Sequence, residues 1–212
     1  MALSVVVRGL LSAQECADTA RRMDAGGLVA APIEYRRENL EAWRPFLTCQ
    51  TQRDRLHYLD QPGGWGVTLA IPYGDVPWGA RARDALLSAA RILGLDIDTD
   101  RPVAWEAGDH PAGLRHGEQG LERYIQAIRY PPGAWLEEHR DTPTSFRVLA
   151  PIKISATVRL SGPQTVSWGW MDVPDLELGD MVAYAGWRPH YVAPCAEVRH
   201  SAVLSALGPP WR

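Results

Sequence analysis

A chain of 212 residues, 46% hydrophobic and 22% charged, carries enough apolar material for one large folded unit, which excludes wholesale disorder. A formal charge of −3 and a pI near 6.1 give no general attraction to phosphate backbones or anionic lipid, so neither nucleic acid nor a membrane surface is expected as a partner. Cys16, Cys49 and Cys195 are widely spaced and form no CxxC, which suits a reducing cytoplasm rather than a disulfide framework. The opening residues lack a basic region ahead of their apolar run and soon meet Glu15, so no signal peptide is expected. No apolar run approaches the roughly 18 residues of a membrane helix.

In chain order, Leu3 to Val7 reads as a short strand. Ser12 and Glu15 form a capping box, in which the Ser12 side chain and Glu15 satisfy each other's end of a new helix. That helix is expected to stop at Gly26-Gly27, and a second is expected around 37–47. "DQPGGWG" (60–66) is a turn cluster ahead of the strand-like "VTLAI". Ala82, Leu86, Ala89 and Leu93 share one helical face, which predicts a helix over 78–93 ended by Gly94. Residues 108–120 hold Gly108, Gly113, Gly117 and Gly120 without apolar periodicity, and read as a loop able to serve as a lid.

From residue 124 the pattern changes to short strand-like runs: "YIQAIRY", "AWLEEH", "IKISATVRL", "TVSWGWM", "DMVAYA", "HYV" and "VRHSAVLSAL". Pro131-Pro132-Gly133, Ser161-Gly162-Pro163, Leu178-Gly179-Asp180 and Pro189 punctuate them. Short strands with turn signals and no intervening helices predict an antiparallel sandwich or jelly roll. The expected organisation is one domain over 1–212, mainly β with N-terminal helices. An α/β layer and loop (1–123) would pack on a β core (124–212).

"AWLEEHRDTP" carries the motif that chemistry turns on. A kinase catalytic loop requires an asparagine where Phe146 stands, so that reading fails. On a strand, Trp135, Glu137, His139 and Asp141 would share a face, a polar set suited to a pocket. Two histidines and a carboxylate form the facial triad of non-haem iron, with three positions left open. His190, after the strand "DMVAYA", supplies the second histidine, and Arg199 follows with Ser201 on its strand face. A planar guanidinium in "VRHSAVL" matches a carboxylate, although a surface pair with Glu197 is the plainer alternative.

This arrangement resembles the Fe(II)/2-oxoglutarate-dependent dioxygenases, and "VVVRGLLSAQECADTA" is similar to the start of their small, prolyl-hydroxylase-like members. The resemblance implies a double-stranded β-helix, with His139, Asp141 and His190 as ligands of Fe(II). It implies that Arg199 and Ser201 hold the distal carboxylate of 2-oxoglutarate, with Tyr130, ahead of "PPG", as a further cosubstrate contact. Lys153 is a rival anchor, because some members use a lysine from that strand. The implied reaction consumes O2 and couples oxidative decarboxylation of 2-oxoglutarate to hydroxylation or a related C–H oxidation. Asp141 argues against halogenating members, which carry a small residue there, and the absence of His-x-His argues against a cupin. The expected substrate is a small molecule such as an amino acid or biosynthetic intermediate. A peptidyl or protein hydroxylase and a non-catalytic metal-binding jelly roll are the alternatives. Arg147, His110 and His116 are candidates for substrate contact or plain surface; His57 reads as exposed and His200 as structural. Trp135, Trp168, Trp170 and Trp187 are candidates for the pocket wall.

Overall fold

The computed structural model describes residues 4–24, 67–72, 76–97, 124–130, 132–133, 136–141, 152–164, 166–167 and 175–207. Several expectations lie outside the described residues: the helix at 37–47, the turn at 60–66, the loop at 108–120, and Cys49, His57, His110, His116, Trp135, Arg147, Trp168 and Trp170.

The elements follow in the order β1 (Ser4–Val7), α1 (Ala13–Asp24), β2 (Val67–Pro72), α2 (Gly79–Ile92), β3 (Tyr124–Tyr130) and β4 (Leu136–His139). Then come β5 (Ile152–Ser161), β6 (Val166–Ser167), β7 (Met181–Ala185), β8 (His190–Val192) and β9 (Arg199–Leu207). Among the described residues all pairings are antiparallel, and the strands form a six-stranded sheet in the order β1-β7-β5-β9-β3-β2 and a three-stranded sheet in the order β4-β8-β6. The architecture is a mainly antiparallel jelly roll with helices against one face. Among the described residues β1 and β2, from the amino-terminal part of the chain, stand at the two ends of the large sheet, so amino-terminal and carboxy-terminal strands share one sheet.

The capping box forms as the sequence predicts: the Ser12 hydroxyl accepts from the Glu15 N–H at 3.2 Å, and the Ser12 N–H donates to Glu15 Oε2 at 2.8 Å. Arg81 on α2 donates to the same carboxylate and to the Leu10 carbonyl, so one charge group ties both helices to the β1–α1 turn. The apolar stripe Ala82, Leu86 and Ala89 is buried together with Leu93, and Gly94 takes φ 68° to end α2. This stripe, with Cys16 and Met23 of α1, packs on Ile125, Ala127, Ile154, Ala156, Val158, Leu160, Met181, Ala183, Ala202, Leu204 and Ala206. Those positions alternate along β3, β5, β7 and β9, so they mark one face of the large sheet.

The opposite face turns toward the small sheet. Ile128 and Tyr130 of β3 meet Val192 of β8, with Val203 of β9 packed alongside. Ser155, Thr157, Arg199, Ser201 and Ser205 also occupy this face and are buried. Among the described residues no helix is long and apolar enough to cross a membrane.

Candidate functional site

The small sheet brings the two distant histidines together. His139 on β4 stands directly opposite His190 on β8, and directly opposed positions of an antiparallel pair lie on one face of it. The His139 side chain lies outside the described residues, so its place is given by the backbone register alone. Asp141 approaches by a route the alternation argument did not foresee. β4 ends at His139, and a register shift separates the Leu136–Val192 pair from the His139–His190 pair. A register shift within β4 and a bend at Asp141 thus interrupt the regular strand, devices that commonly re-aim side chains beside functional sites. Asp141 Oδ1 nonetheless sits 3.5 Å from His190 Nε2.

His190 is 5% exposed, and its Nδ1 lies 3.0 Å from the Arg188 carbonyl oxygen. A carbonyl only accepts, so Nδ1 carries the proton and, in the neutral ring, Nε2 presents its lone pair toward Asp141. A histidine whose far nitrogen is held by a backbone carbonyl is the usual arrangement of a metal-ligating imidazole. The 3.5 Å separation is long for a hydrogen bond and fits two donors that face a shared cation. Among the described residues no three His, Cys, Asp or Glu side chains form a metal-sized cluster; the third candidate is His139.

On the facing sheet, Tyr130 of β3 and Arg199 of β9 are directly paired, and the guanidinium carbon lies 5.3 Å from the Tyr130 ring centre. Arg199 is 2% exposed, and burial lowers its pKa, against which Cys195 and Tyr130 act in the opposite direction. Two residues on, Ser201 is fully buried, and its hydroxyl has no hydrogen-bond partner among the described residues. The same holds for the Ser155 hydroxyl on β5. A buried hydroxyl left unmatched costs about 1–3 kcal/mol, so a row of these beside a cationic fork suits an oxygen-rich ligand.

Lys153, the rival anchor, is also buried, and burial lowers its pKa while Asp96 acts to raise it. It lies at the other end of β5. Ile154 pairs with Ala206 and Ser161 with His200, a span of about 23 Å at ~3.3 Å per residue. Lys153 and Arg199 are thus not interchangeable neighbours.

No family model matches the chain, and no curated protein matches it in sequence. Among solved structures it is similar to a viral collagen prolyl hydroxylase from Paramecium bursaria Chlorella virus-1, in complex with 2-oxoglutarate. The TM-score is 0.59 at 12% identity, covering 98% of this chain and 96% of that one. A Pseudomonas putida prolyl-4-hydroxylase matches with a TM-score of 0.54 at 18% identity, covering 97% of this chain and 92% of that one. The fold is that of the prolyl hydroxylases. Both likenesses extend over nearly the whole chain, so the paired sheets and the helices behind them belong to one shared architecture.

Two further side chains of the site were not singled out from sequence. Tyr184 on β7 is 1% exposed, its ring centre lies 4.9 Å from that of His190, and it hydrogen-bonds Thr157. Burial, and then the charge of Asp141, push its phenol well above the ordinary tyrosine range. Arg188, 2% exposed, lies in the turn that delivers His190, and burial lowers its pKa while Tyr184 acts to raise it. "MVAYA" and "WRPH" give no motif for either residue. The available signal was the period-two pattern of Lys153, Ser155, Thr157 and Arg159 against Ile154, Ala156, Val158 and Leu160, which marks a strand with one polar face.

Proposed function

We propose that this chain, acting as one domain, is an Fe(II)- and 2-oxoglutarate-dependent hydroxylase. The observation that carries the reading is the meeting of His190 Nε2 and Asp141 Oδ1, with His139 in direct register, across from a buried arginine on the facing sheet. His139, Asp141 and His190 would hold the iron, a donor set that Fe(II) accepts while keeping positions open. Arg199 and Ser201 would hold the distal carboxylate of 2-oxoglutarate, with Tyr130 against the guanidinium.

When bound, iron and 2-oxoglutarate supply oxidative decarboxylation and C–H oxidation with O2. The protein's part is positional. The Arg188 carbonyl fixes the His190 tautomer, and the bend after β4 swings Asp141 toward the same point. The Arg199 fork offers two parallel donors to a carboxylate, and its burial strengthens that pairing relative to water. The apolar wall of Ile128, Val192 and Val203 excludes solvent from the space between the sheets. Cys16 and Cys195 are free thiols, in keeping with the reducing cytoplasm proposed as the compartment.

For the substrate, the likeness to a collagen prolyl hydroxylase leans toward a peptidyl residue, prolyl first. Trp187, 47% exposed in the turn before His190, offers an aromatic surface for such a chain. A free amino acid or biosynthetic intermediate is the second reading. Succinate release with Fe(II), measured over a panel of proline-containing peptides and free amino acids, tests both, with product mass reporting one added oxygen. The absence of both succinate formation and metal-dependent 2-oxoglutarate binding across these conditions would overturn the reading.

A further inference from the structure

Asp24, the last residue of α1, binds behind the Tyr130–Arg199 pair. Its Oδ1 accepts from Arg129 Nε on β3 at 2.9 Å and lies 2.9 Å from His200 Nε2 on β9. Arg129 and His200 are themselves directly paired across β3 and β9, one position from the Tyr130–Arg199 pair. Because side chains alternate along a strand, Arg129 and His200 occupy the face opposite to Tyr130 and Arg199. One carboxylate oxygen on the helix side thus ties together the two strands that carry Tyr130 and Arg199 on the inner side.

The local backbone gives this tie something to do. The β5–β9 register shifts between Arg159 and Ser161, so the ladder is irregular where β9 begins. Ser161, at the end of β5, closes the network: its hydroxyl is 2.7 Å from His200 Nδ1. Gly162 follows at φ 65°, and a Cβ there would stand 2.6 Å from the Val198 carbonyl oxygen and 3.1 Å from Arg199 Cγ. Arg199 therefore rests against glycine backbone on one side, and its strand is gripped through His200 on the other.

Asp24 is also misplaced for its helix. A carboxylate in the last turn faces the negative end of the macrodipole, which costs about 0.3–1 kcal/mol. Burial also works against its charge, yet the bonds from His200 and Arg129 outweigh this and hold its pKa below the usual carboxylate range.

We infer that Asp24 is a positioning residue for the anchor, clamping β3 to β9 through Arg129 and His200 so that Arg199 and Tyr130 are pre-set for a dicarboxylate. The inference rests on the reading of Arg199 as the 2-oxoglutarate anchor. Its test is calorimetric binding of 2-oxoglutarate to the Mn(II)-loaded full chain, in wild type, Arg199→Ala, Asp24→Asn and Ser161→Ala. The Asp24 side chain is 51% exposed, so its replacement leaves the core intact. Asp24→Asn is expected to weaken 2-oxoglutarate about tenfold or more, with Mn(II) affinity and kcat at saturating 2-oxoglutarate unchanged. Ser161→Ala is expected to weaken it less, and Asp24→Glu to recover part of the loss. If Arg199→Ala abolishes binding while Asp24→Asn binds like wild type, the clamp is wrong and the anchor stands. If Arg199→Ala binds like wild type, the anchor reading fails and the clamp falls with it.

Discussion

Arg199 is a full guanidinium held 2% exposed on a sheet face shared with buried hydroxyls. Losing a charge-assisted pair in such a place costs about 2–5 kcal/mol, roughly tens- to thousands-fold in affinity. Arg199→Ala is accordingly expected to weaken 2-oxoglutarate by that factor while Mn(II) binding survives. Lys153→Ala, at the far end of β5, is expected to leave 2-oxoglutarate affinity near wild type. The reverse pattern in a titration would move the anchor to Lys153. Asp180 is the structural counterpart of this charge. It accepts from the Gly9 N–H at 2.7 Å, the Glu177 N–H at 2.9 Å and Arg8 at 2.6 Å, with its side chain 3% exposed. Burial raises its pKa, but these donors outweigh burial and hold it below the ordinary carboxylate value. A depressed folded pKa adds stability above the unfolded value of about 3.9, and that stability is lost as pH falls through the folded pKa. Asp180→Asn is expected to cost about 2–4 kcal/mol at neutral pH. Its urea midpoint should also fall less steeply than wild type below about pH 4.

At the scale of elements, the turn before β7 depends on one glycine. Gly179 has φ 83°, and a Cβ there would stand 2.0 Å from the Leu11 carbonyl oxygen. The Gly179 carbonyl also accepts from the Leu11 N–H at 3.0 Å, so the turn cannot back away without breaking that bond. Gly179→Ala is expected to destabilise by about 2–4 kcal/mol in denaturant titration. In α2, Leu86 is 1% exposed at the centre of the stripe that covers the large sheet. Leu86→Ala is expected to cost about 2–5 kcal/mol, with 2-oxoglutarate affinity little changed because the stripe lies on the far face. A large affinity loss there would mean that the two faces are coupled more tightly than the alternation of side chains implies.

For the whole molecule, the proposed site lies between two sheets, so ligands that bind both should oppose their separation. Mn(II) with 2-oxoglutarate at about 100 times Kd adds about 2.7 kcal/mol. At ~2–4 °C per kcal/mol for a chain of this size, calorimetry should record a Tm rise of about 5–11 °C, reversed by a chelator. An unchanged Tm at saturating metal and 2-oxoglutarate would count against a site that spans the sheets.

The sequence by itself determined whatever depends on neighbours along the chain. The capping box of Ser12 and Glu15, the stripe of α2, and the strands "YIQAIRY", "IKISATVRL" and "VRHSAVLSAL" are all local patterns, and each forms where it was read. Order and spacing were also enough to name His139, Asp141, His190 and Arg199 as candidates, because the ligand set proposed for them is defined by residue types. The register shift between Leu136 and His139 was not legible, because an irregularity of that kind inserts an offset that no period in the sequence announces. Tertiary structure alone decided which side of β5 faces water. Ser155 and Thr157 look like the solvent side of a half-buried strand, yet both are buried, and the same alternation then describes a polar interior. It alone placed Tyr184 and Arg188 beside His190, and set Asp24 of α1 behind Arg199 of β9. The Asp24 contacts join residues far apart in the chain, and register and sheet closure, not local pattern, fix such meetings.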